Sequence, residues 1–484
     1  MSSAVAAVDL GATSGRVMLG HVGHNELSLR PVARFPNEPV RTIDGLHWNI
    51  LGLYRSVLSG LRSALRDEPD VVGIGIDSWA VDYALLRDGR MLGNPYHYRD
   101  DRTAAGVAAV HALVDPAELY TRNGLQFLTF NTLYQFAADQ LAGSLDWADS
   151  FLLIPDLLGY WLTGRQIAER TNASTTGLLS VGSAGSAGTG RWDDELIRRL
   201  HLPRSLFPEI VDAGTNIGVL LPSVGGEIGA GSAMTLTAVG SHDTASAVVA
   251  TPMLTGSPAY ISCGTWGLVG VELEHAVLTE AGREANFTNE GGVDGRIRYL
   301  HNVMGLWLLN ESVRTWEHDG HTIDLPHLLE QASAVEKPVT VFDANDPRFF
   351  TPGDMPAHIR EHCVEHELPA PASRPELVRS ILESLAIAFT AGIHQAGRLS
   401  GRTIDTIHIV GGGSQNTLLC QLTADRSGLT VLAGPVEATA IGNVLVQART
   451  QGLVVGDLET LRALVAKAFA PVAYEPQVTI APVM

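Results

Sequence analysis

Cysteine is scarce in this chain, with three residues in 484: Cys263, Cys363 and Cys420. An odd number at wide spacing, with no Cys-x-x-Cys pair, excludes a disulfide framework and a thiolate zinc motif. It fits a reducing compartment. Cys363 has His362 and His366 close by, but no second cysteine completes a zinc set. Cys263, in a glycine-rich loop, reads as either a nucleophile or a small buried residue. Positive charge is also short, 33 Lys and Arg against 52 Asp and Glu, for a formal net charge of −19. So acidic a surface argues against nucleic acid or an anionic membrane as partner and suits a cytoplasmic protein. No uncharged apolar run of about 18 residues is present, so no transmembrane helix is expected. Met1 to Ala7 lacks a basic n-region and Asp9 interrupts the apolar run, so no signal peptide is expected.

What the chain does have is length for roughly two to three domains and 45% hydrophobic residues to build their cores. Its most informative stretch is Asp9-Leu10-Gly11-Ala12-Thr13-Ser14-Gly15-Arg16, after the apolar run Ala4 to Val8, which reads as a buried strand. Gly11 and Gly15 permit a tight turn and close approach of a ligand. Successive backbone N–H groups, with the Thr13 and Ser14 hydroxyls, suit phosphate oxygens, and Arg16 suits bidentate pairing with them. Asp9 repels phosphate but is placed to hold Mg²⁺, which takes one or two carboxylates plus nucleotide phosphates. The alternative is a glycine-rich hairpin turn.

Ile50, Leu51, Tyr54, Val57, Leu58, Leu61 and Leu65 predict an amphipathic helix over 50–66. Val71 to Ile76 is a buried strand ending at Asp77-Ser78-Trp79-Ala80-Val81-Asp82, and ligands in open α/β sheets favour strand ends. Asp88-Gly89 signals a hairpin turn. The low-complexity run 182–190 reads as a surface loop. Residues 238–246 open a small-residue helix, and Ala259–Ser262 runs into Cys263-Gly264-Thr265-Trp266 as a second strand–turn–strand, suggesting two similar α/β domains. Ser373 with Glu376 makes a capping box before a long helix through Leu377, Ile381, Leu385, Phe389 and Ile393. Thr406 to Val410 is a strand ending in Gly411-Gly412-Gly413, with a helix from about Thr417, and residues 434–443 open another helix.

Asp243 is the best candidate base, since a carboxylate can take the proton of a hydroxyl attacking a γ-phosphate; it is equally a plausible helix N-cap. His242 is either a proton relay or substrate contact, or a structural histidine. Asp77, Trp79 and Asp82 offer carboxylates and an indole face to a sugar. The run Tyr98-Arg99-Asp100-Asp101-Arg102 either closes over a polyol or is a solvated, salt-bridged turn. The glycine triplet lacks the Gly-x-Gly-x-x-Gly spacing of a dinucleotide site. It reads as a flat surface for adenine or ribose, with Asn416 hydrogen-bonding the nucleotide, or as a tight strand-to-helix turn.

Taken together, the segments AVDLGATSGRVML, IGIDSWAVDY, YRDDRT, NTLYQ, SHDTASAV, GTWGLVG, NEGG, NVMGLWLL, HIVGGGSQNTLL and GPVEAT resemble the FGGY family of carbohydrate kinases from Asp9 to Asn443. Within it the resemblance is closest to members that phosphorylate L-rhamnulose at O1. It implies an α/β, two-domain actin-like ATPase (ribonuclease H-like) fold with an interdomain active-site cleft. The expected division is 1–245 for the sugar-binding domain, 246–474 for the nucleotide-binding domain and 475–484 for a tail. ATP and Mg²⁺ are the implied cofactors and a small ketose the partner, in a monomer or weak homodimer. The resemblance assigns Ala12, Thr13, Ser14, Gly15 and Arg16 to the ATP phosphates, Asp9 to the metal and Thr265 to the second phosphate loop. Gly412 and Asn416 fall on the adenine side, and Asn310 where relatives often carry glutamine. Asp243 resembles the catalytic base. Ala80, Asp82, His242, Asp243, Thr244 and Asn302 line the implied sugar site, with Ala80 standing where such kinases commonly have glycine. Kinases for L-fuculose or xylulose, and a non-catalytic sugar sensor, are the alternatives.

Overall fold

A computed structural model describes residues 3–182 and 190–477 as mixed α/β, in two compact units. The run 183–189 and the tail beyond 477 lie outside the described residues. The first unit comprises Met1–Leu254, Glu272–Tyr299 and Glu437–Phe469, and the second Thr255–Val271, Leu300–Val436 and Ala470–Met484. The units therefore do not follow a single cut at 245. The strand-order and packing reasons lie in the first unit's sheet.

That sheet has six strands in the order Asn216–Val219, Thr235–Thr237, Gly73–Ser78, Ser3–Leu10, Ser14–Gly23, Glu26–Pro36. Ser3–Leu10 is interior, and Ala4 to Val8 are all buried, which is why the strand reads as a continuous apolar run instead of an alternation. It pairs antiparallel with Ser14–Gly23 and parallel with Gly73–Ser78, so Asp9 stands opposite both Arg16 and Asp77. The amphipathic helix Ile50–Asp67, capped by the Asn49 side chain, packs on Ser14–Gly23 and Glu26–Pro36. The helix Ala438–Thr450 packs on Ser3–Leu10 and Gly73–Ser78. Asn443 Nδ2 donates to Asp77 Oδ2 at 2.5 Å, and Gln447 Nε2 to the Ala6 carbonyl at 3.0 Å. These bonds, together with the burial of Ile441, Val444 and Leu445, draw a segment from the C-terminal part of the sequence into the first unit.

In the second unit Pro258–Cys263 pairs antiparallel with Trp266–Leu273 and parallel with Thr406–Val410, and the sheet continues through Thr430–Ala433 to Val472–Tyr474. This is the second strand–turn–strand expected from the sequence. The helix Arg374–Ser400 begins at an Ser373 cap, whose Oγ accepts from the Glu376 N–H. By length and composition it could cross a membrane, but Leu377, Ile381, Leu385, Phe389 and Ile393 are all buried, as is 72% of its most apolar window. It is the core helix of this unit.

Candidate active site

In the first unit the turn Gly11–Thr13 joins the two strands that carry Asp9 and Arg16. Its carbonyls are held from behind: Asn37 donates from its backbone to Thr13 O at 3.0 Å and from Nδ2 to Gly11 O at 2.9 Å. The N–H groups of Ala12 and Thr13 take no hydrogen bond with any described residue and Thr13 is exposed. Gly15 is buried, where a Cβ would meet the Phe35 ring at 2.3 Å. Carbonyls held by Asn37 and neighbouring amides without a partner among the described residues suit an anion. Asn37 carries no signature in sequence; only the fold brings it to the turn.

Arg16 Nε lies 3.4 Å from Asp9 Oδ2, and its Nη1 bonds the Glu437 carboxylate. Asp9 is buried, and its carboxyl is pushed up to about 6 by burial, opposed by Arg16 and reinforced by the charges of Asp243 and Glu437. Asp77 is fully buried and lies well above the usual carboxylate range, first by burial and then by Asp9, with the Asn443 bond opposing. Its Oδ1 has no hydrogen-bond partner among the described residues. A cluster of carboxylates around one guanidinium has an excess of negative charge that a cation would relieve. Among the described residues no three His, Cys, Asp or Glu side chains gather to ligate one ion.

The raised Asp9 has a measurable consequence. Above pH 6 the folded protein holds Asp9 charged at a cost of about 3 kcal/mol that the unfolded chain does not bear. As pH falls from about 6 towards 3.8, the folded state takes up the proton while the unfolded state is still ionised, and the penalty fades. Asp9→Asn is accordingly expected to stabilise the metal-free protein at pH 7.5, with the gain vanishing near pH 4. Urea unfolding of both proteins across that range checks it.

Asp243 is the first residue of the helix Asp243–Val249. His242 holds the N-cap position and no side chain caps the helix, so the capping alternative for Asp243 falls away. A bridge between Ser78 and His242, with Ser78 N donating to Ser241 O at 2.9 Å, sets this helix start beside the end of Gly73–Ser78. The buried Glu169 fastens it from beneath: its Oε2 accepts from Ser241 N at 3.0 Å and Ser241 Oγ at 2.9 Å. The Asp243 side chain is 29% exposed, whereas Asp9 and Asp77 are buried. Its Oδ1 accepts from Thr244 Oγ1 at 3.1 Å and faces His242 Nε2 at 3.4 Å. His242 and Thr244 are buried with their polar atoms turned onto protein groups. Their side chains thus brace Asp243 on either side in the chain.

Asp82, expected at the sugar, is surrounded by protein donors. It is 1% exposed, and its Oδ2 accepts from Trp48 Nε1 at 2.6 Å, Trp79 Nε1 at 3.1 Å and Tyr98 N at 3.1 Å. Gln135 Nε2 donates to Oδ1 at 3.0 Å. Burial pushes its carboxyl up to about 6 against these donors. It is a buried hub beneath the strand end. Asp77 and Trp79 are likewise buried. Ala80 is half-buried and is followed by Val81 at φ +67°, a strained value for a β-branched residue. Thr132 Oγ1 donates to the Val81 carbonyl at 2.7 Å and holds it there. The run 98–102 is not a solvated turn: Tyr98 and Asp100 are buried, and Arg102 pairs with Asp139 at 2.6 Å.

In the second unit Thr265 sits in the two-residue bend between Pro258–Cys263 and Trp266–Leu273, half-exposed. The segment from Gly305 to Trp307 docks on that bend, with Gly305 N on Thr265 O at 3.2 Å and Leu306 N on Gly264 O at 2.9 Å. A Cβ at Gly305 would lie 2.5 Å from the Trp266 carbonyl carbon, so only glycine fits. Asn302, half-buried, is on the preceding strand Ile297–Met304, and Asn310 is exposed on the helix Trp307–His318. The glycine triplet divides: a Cβ at Gly413 would strike Cys263 Sγ at 2.3 Å, whereas at Gly412 it would meet nothing. Gly412 alone presents an open face. Asn416 is buried and its Oδ1 caps the helix Thr417–Ser427, accepting from Leu419 N at 3.0 Å. Cys263 is buried and its thiol is pushed up to about 12 by burial, which rules out a nucleophile.

Profiles of the FGGY family of carbohydrate kinases match residues 4–250 (N-terminal domain) and 259–450 (C-terminal domain). A rhamnulokinase of Bacteroides thetaiotaomicron is 40% identical over 476 residues, covering 97% of this chain and 95% of that protein. A rhamnulokinase of Pectobacterium carotovorum is 42% identical over 480 residues, covering 98% and 93%. Among solved structures, ligand-bound xylulose kinase from Lactobacillus acidophilus superposes with a TM-score of 0.76 at 14% identity, over 98% of this chain and 94% of that one. Plasmodium falciparum glycerol kinase with ADP gives 0.77 at 14% identity, over 98% and 94%.

Proposed function

Given that the chain belongs to the FGGY family of carbohydrate kinases and has its actin-like ATPase fold, we propose that it phosphorylates L-rhamnulose at O1 with ATP. The products are L-rhamnulose 1-phosphate and ADP. Asp243 is the base. It takes the O1 proton as that oxygen bonds to the γ-phosphorus, and the bond from phosphorus to the β–γ bridging oxygen breaks, leaving with ADP. The observation that carries this reading is the partly exposed Asp243 carboxylate at a helix start, close enough for its charge to act on Asp9. Whole-length relatives at 40–42% identity bearing the name rhamnulokinase point to this sugar.

Phosphoryl transfer asks mainly for positioning and charge stabilisation. The amides of Ala12 and Thr13, the Ser14 hydroxyl and Arg16 are assigned to the phosphates, with Gly15 letting the turn close. Phosphate oxygens would replace the carboxylates of Asp9 and Glu437 around Arg16. Thr265 is assigned to phosphate as well, and Gly412 to the adenine, with Asn310 on the nucleotide side. Ala80, His242, Thr244 and Asn302 are assigned to the sugar. Asp9 is the residue to hold Mg²⁺, through water, and the ion when bound would supply charge neutralisation at the phosphates. The acidic net charge supports a cytoplasmic enzyme, monomeric or weakly dimeric, without nucleic-acid or membrane partners.

Coupled ADP release over a panel of L-rhamnulose, L-fuculose and D-xylulose tests the assignment. L-rhamnulose is expected to give the highest kcat/KM, by at least about tenfold, a difference of roughly 1.4 kcal/mol in the transition state. A higher value for either other ketose would replace the substrate, and ADP release independent of any sugar would remove the kinase reading.

A further inference from the structure

Arg298 is wholly buried beneath the catalytic helix start, within the first unit. A buried guanidinium is costly unless its donors are all directed at acceptors. Its Nε donates to the Gly291 carbonyl at 3.0 Å, its Nη1 lies 3.1 Å from Glu290 Oε2, and its Nη2 is 2.9 Å from His242 Nδ1. Guanidinium has donors only. At 2.9 Å, Nδ1 must therefore offer a lone pair, because an N–H there would point at another N–H. A neutral imidazole with Nδ1 as acceptor carries its proton on Nε2, and Nε2 is the atom that faces Asp243 Oδ1 at 3.4 Å. Glu290 Oε2 is also 3.3 Å from Nδ1, but it serves the guanidinium as counter-charge in this arrangement.

We propose that Arg298 is a positioning residue that fixes the tautomer of His242, so that His242 Nε2–H and Thr244 Oγ1–H both engage Asp243 Oδ1 and leave Oδ2 to receive the substrate proton. The inference rests on the reading of Asp243 as the base. It adds which oxygen acts and what holds the carboxylate in one orientation. Asp243 Oδ2 takes no hydrogen bond from any described residue, whereas Oδ1 faces two donors. A carboxylate free to rotate about its last bond would present either oxygen; with both donors on one side it presents one.

Two measurements test it. In protein labelled with ¹⁵N-histidine, with the His242 resonances identified by their loss in His242→Gln, the wild-type ring is expected in the Nε2–H form. Arg298→Met is expected to release it into a mixture of tautomers and to lower kcat about 10- to 100-fold, part of what a positioned base contributes, with KM for ATP unchanged. Arg298→Lys, which keeps the charge but not the fork, should fall between the two in both readouts. A wild-type ring in the Nδ1–H form overturns the proposal, and so does Arg298→Met with wild-type kcat. Should Arg298→Met not fold, the wild-type tautomer decides alone. Failure of the wild type to phosphorylate any ketose would strike the kinase reading and leave the tautomer readout intact.

Discussion

Asp243→Asn is expected to lower kcat by roughly 10³-fold, within the range that general-base catalysis supplies, while ATP affinity measured by calorimetry is retained. The substitution keeps an oxygen that can accept from Thr244 Oγ1 and face His242 Nε2, the two groups that now approach Oδ1. The helix start is therefore expected to stay in place, held also by Glu169 under Ser241. What is lost is the basic oxygen at Oδ2, since an amide nitrogen cannot take a proton from the attacking hydroxyl. Loss of the Asp243 charge also removes one of the influences that raise Asp9, so Asp9 should titrate lower in the variant. Its ¹³C-carboxyl signal would report that shift. Near-normal turnover in Asp243→Asn would refute its role as base.

The second large effect is on stability. Asp82→Ala is expected to destabilise the first unit by about 3–5 kcal/mol, the usual consequence of removing one side of a buried charged hydrogen-bond set. Four donors converge on this carboxylate, the indoles of Trp48 and Trp79, the Tyr98 amide and the Gln135 amide. The two indoles and the Tyr98 amide would lose this acceptor, whereas Gln135 Nε2 keeps the Phe130 carbonyl at 2.9 Å. Trp48→Phe removes one donor and leaves the acceptor satisfied, and should cost about 1–2 kcal/mol. Urea midpoints for the two variants separate the hub from a surface ligand, because a mere sugar contact would lose affinity with no loss of stability. A midpoint for Asp82→Ala equal to that of the wild type would restore Asp82 to the substrate-contact role.

The two carboxylates show what is and is not legible in a sequence. Asp82 and Asp243 both follow apolar runs in polar clusters, and both read as ligands. Their difference is the number of donors that the fold points at each, four against the two on one oxygen of Asp243. Those donors come from positions up to 53 residues away, so no local pattern reports them. The Asn416 cap was not read from the sequence, although its bond to the Leu419 N–H is local. Asn37, Glu169 and Arg298 gave no signal at all. Each acts by reaching a segment remote in sequence, and each would pass in isolation for an ordinary loop or strand residue.

Local physics determined much of the rest. Period-3.6 apolar spacing marked the helix at Ile50–Asp67, a continuous apolar run marked Thr406–Val410, and Ser373 marked the start of the long core helix. Glycines and hydroxyls after a buried strand marked the turn between Asp9 and Arg16. These features depend on a few neighbouring residues, and a sequence by itself carries them. Only the tertiary structure decided that residues 437–469 join the first unit, through Asn443 on Asp77, 366 positions away. It likewise decided that Asp9 and Asp77 lie side by side as buried carboxyls while the Asp243 side chain stays partly exposed. Burial, charge crowding and hydrogen-bond partnership are properties of what packs around a residue, and that is settled only when strands distant in the chain come into register.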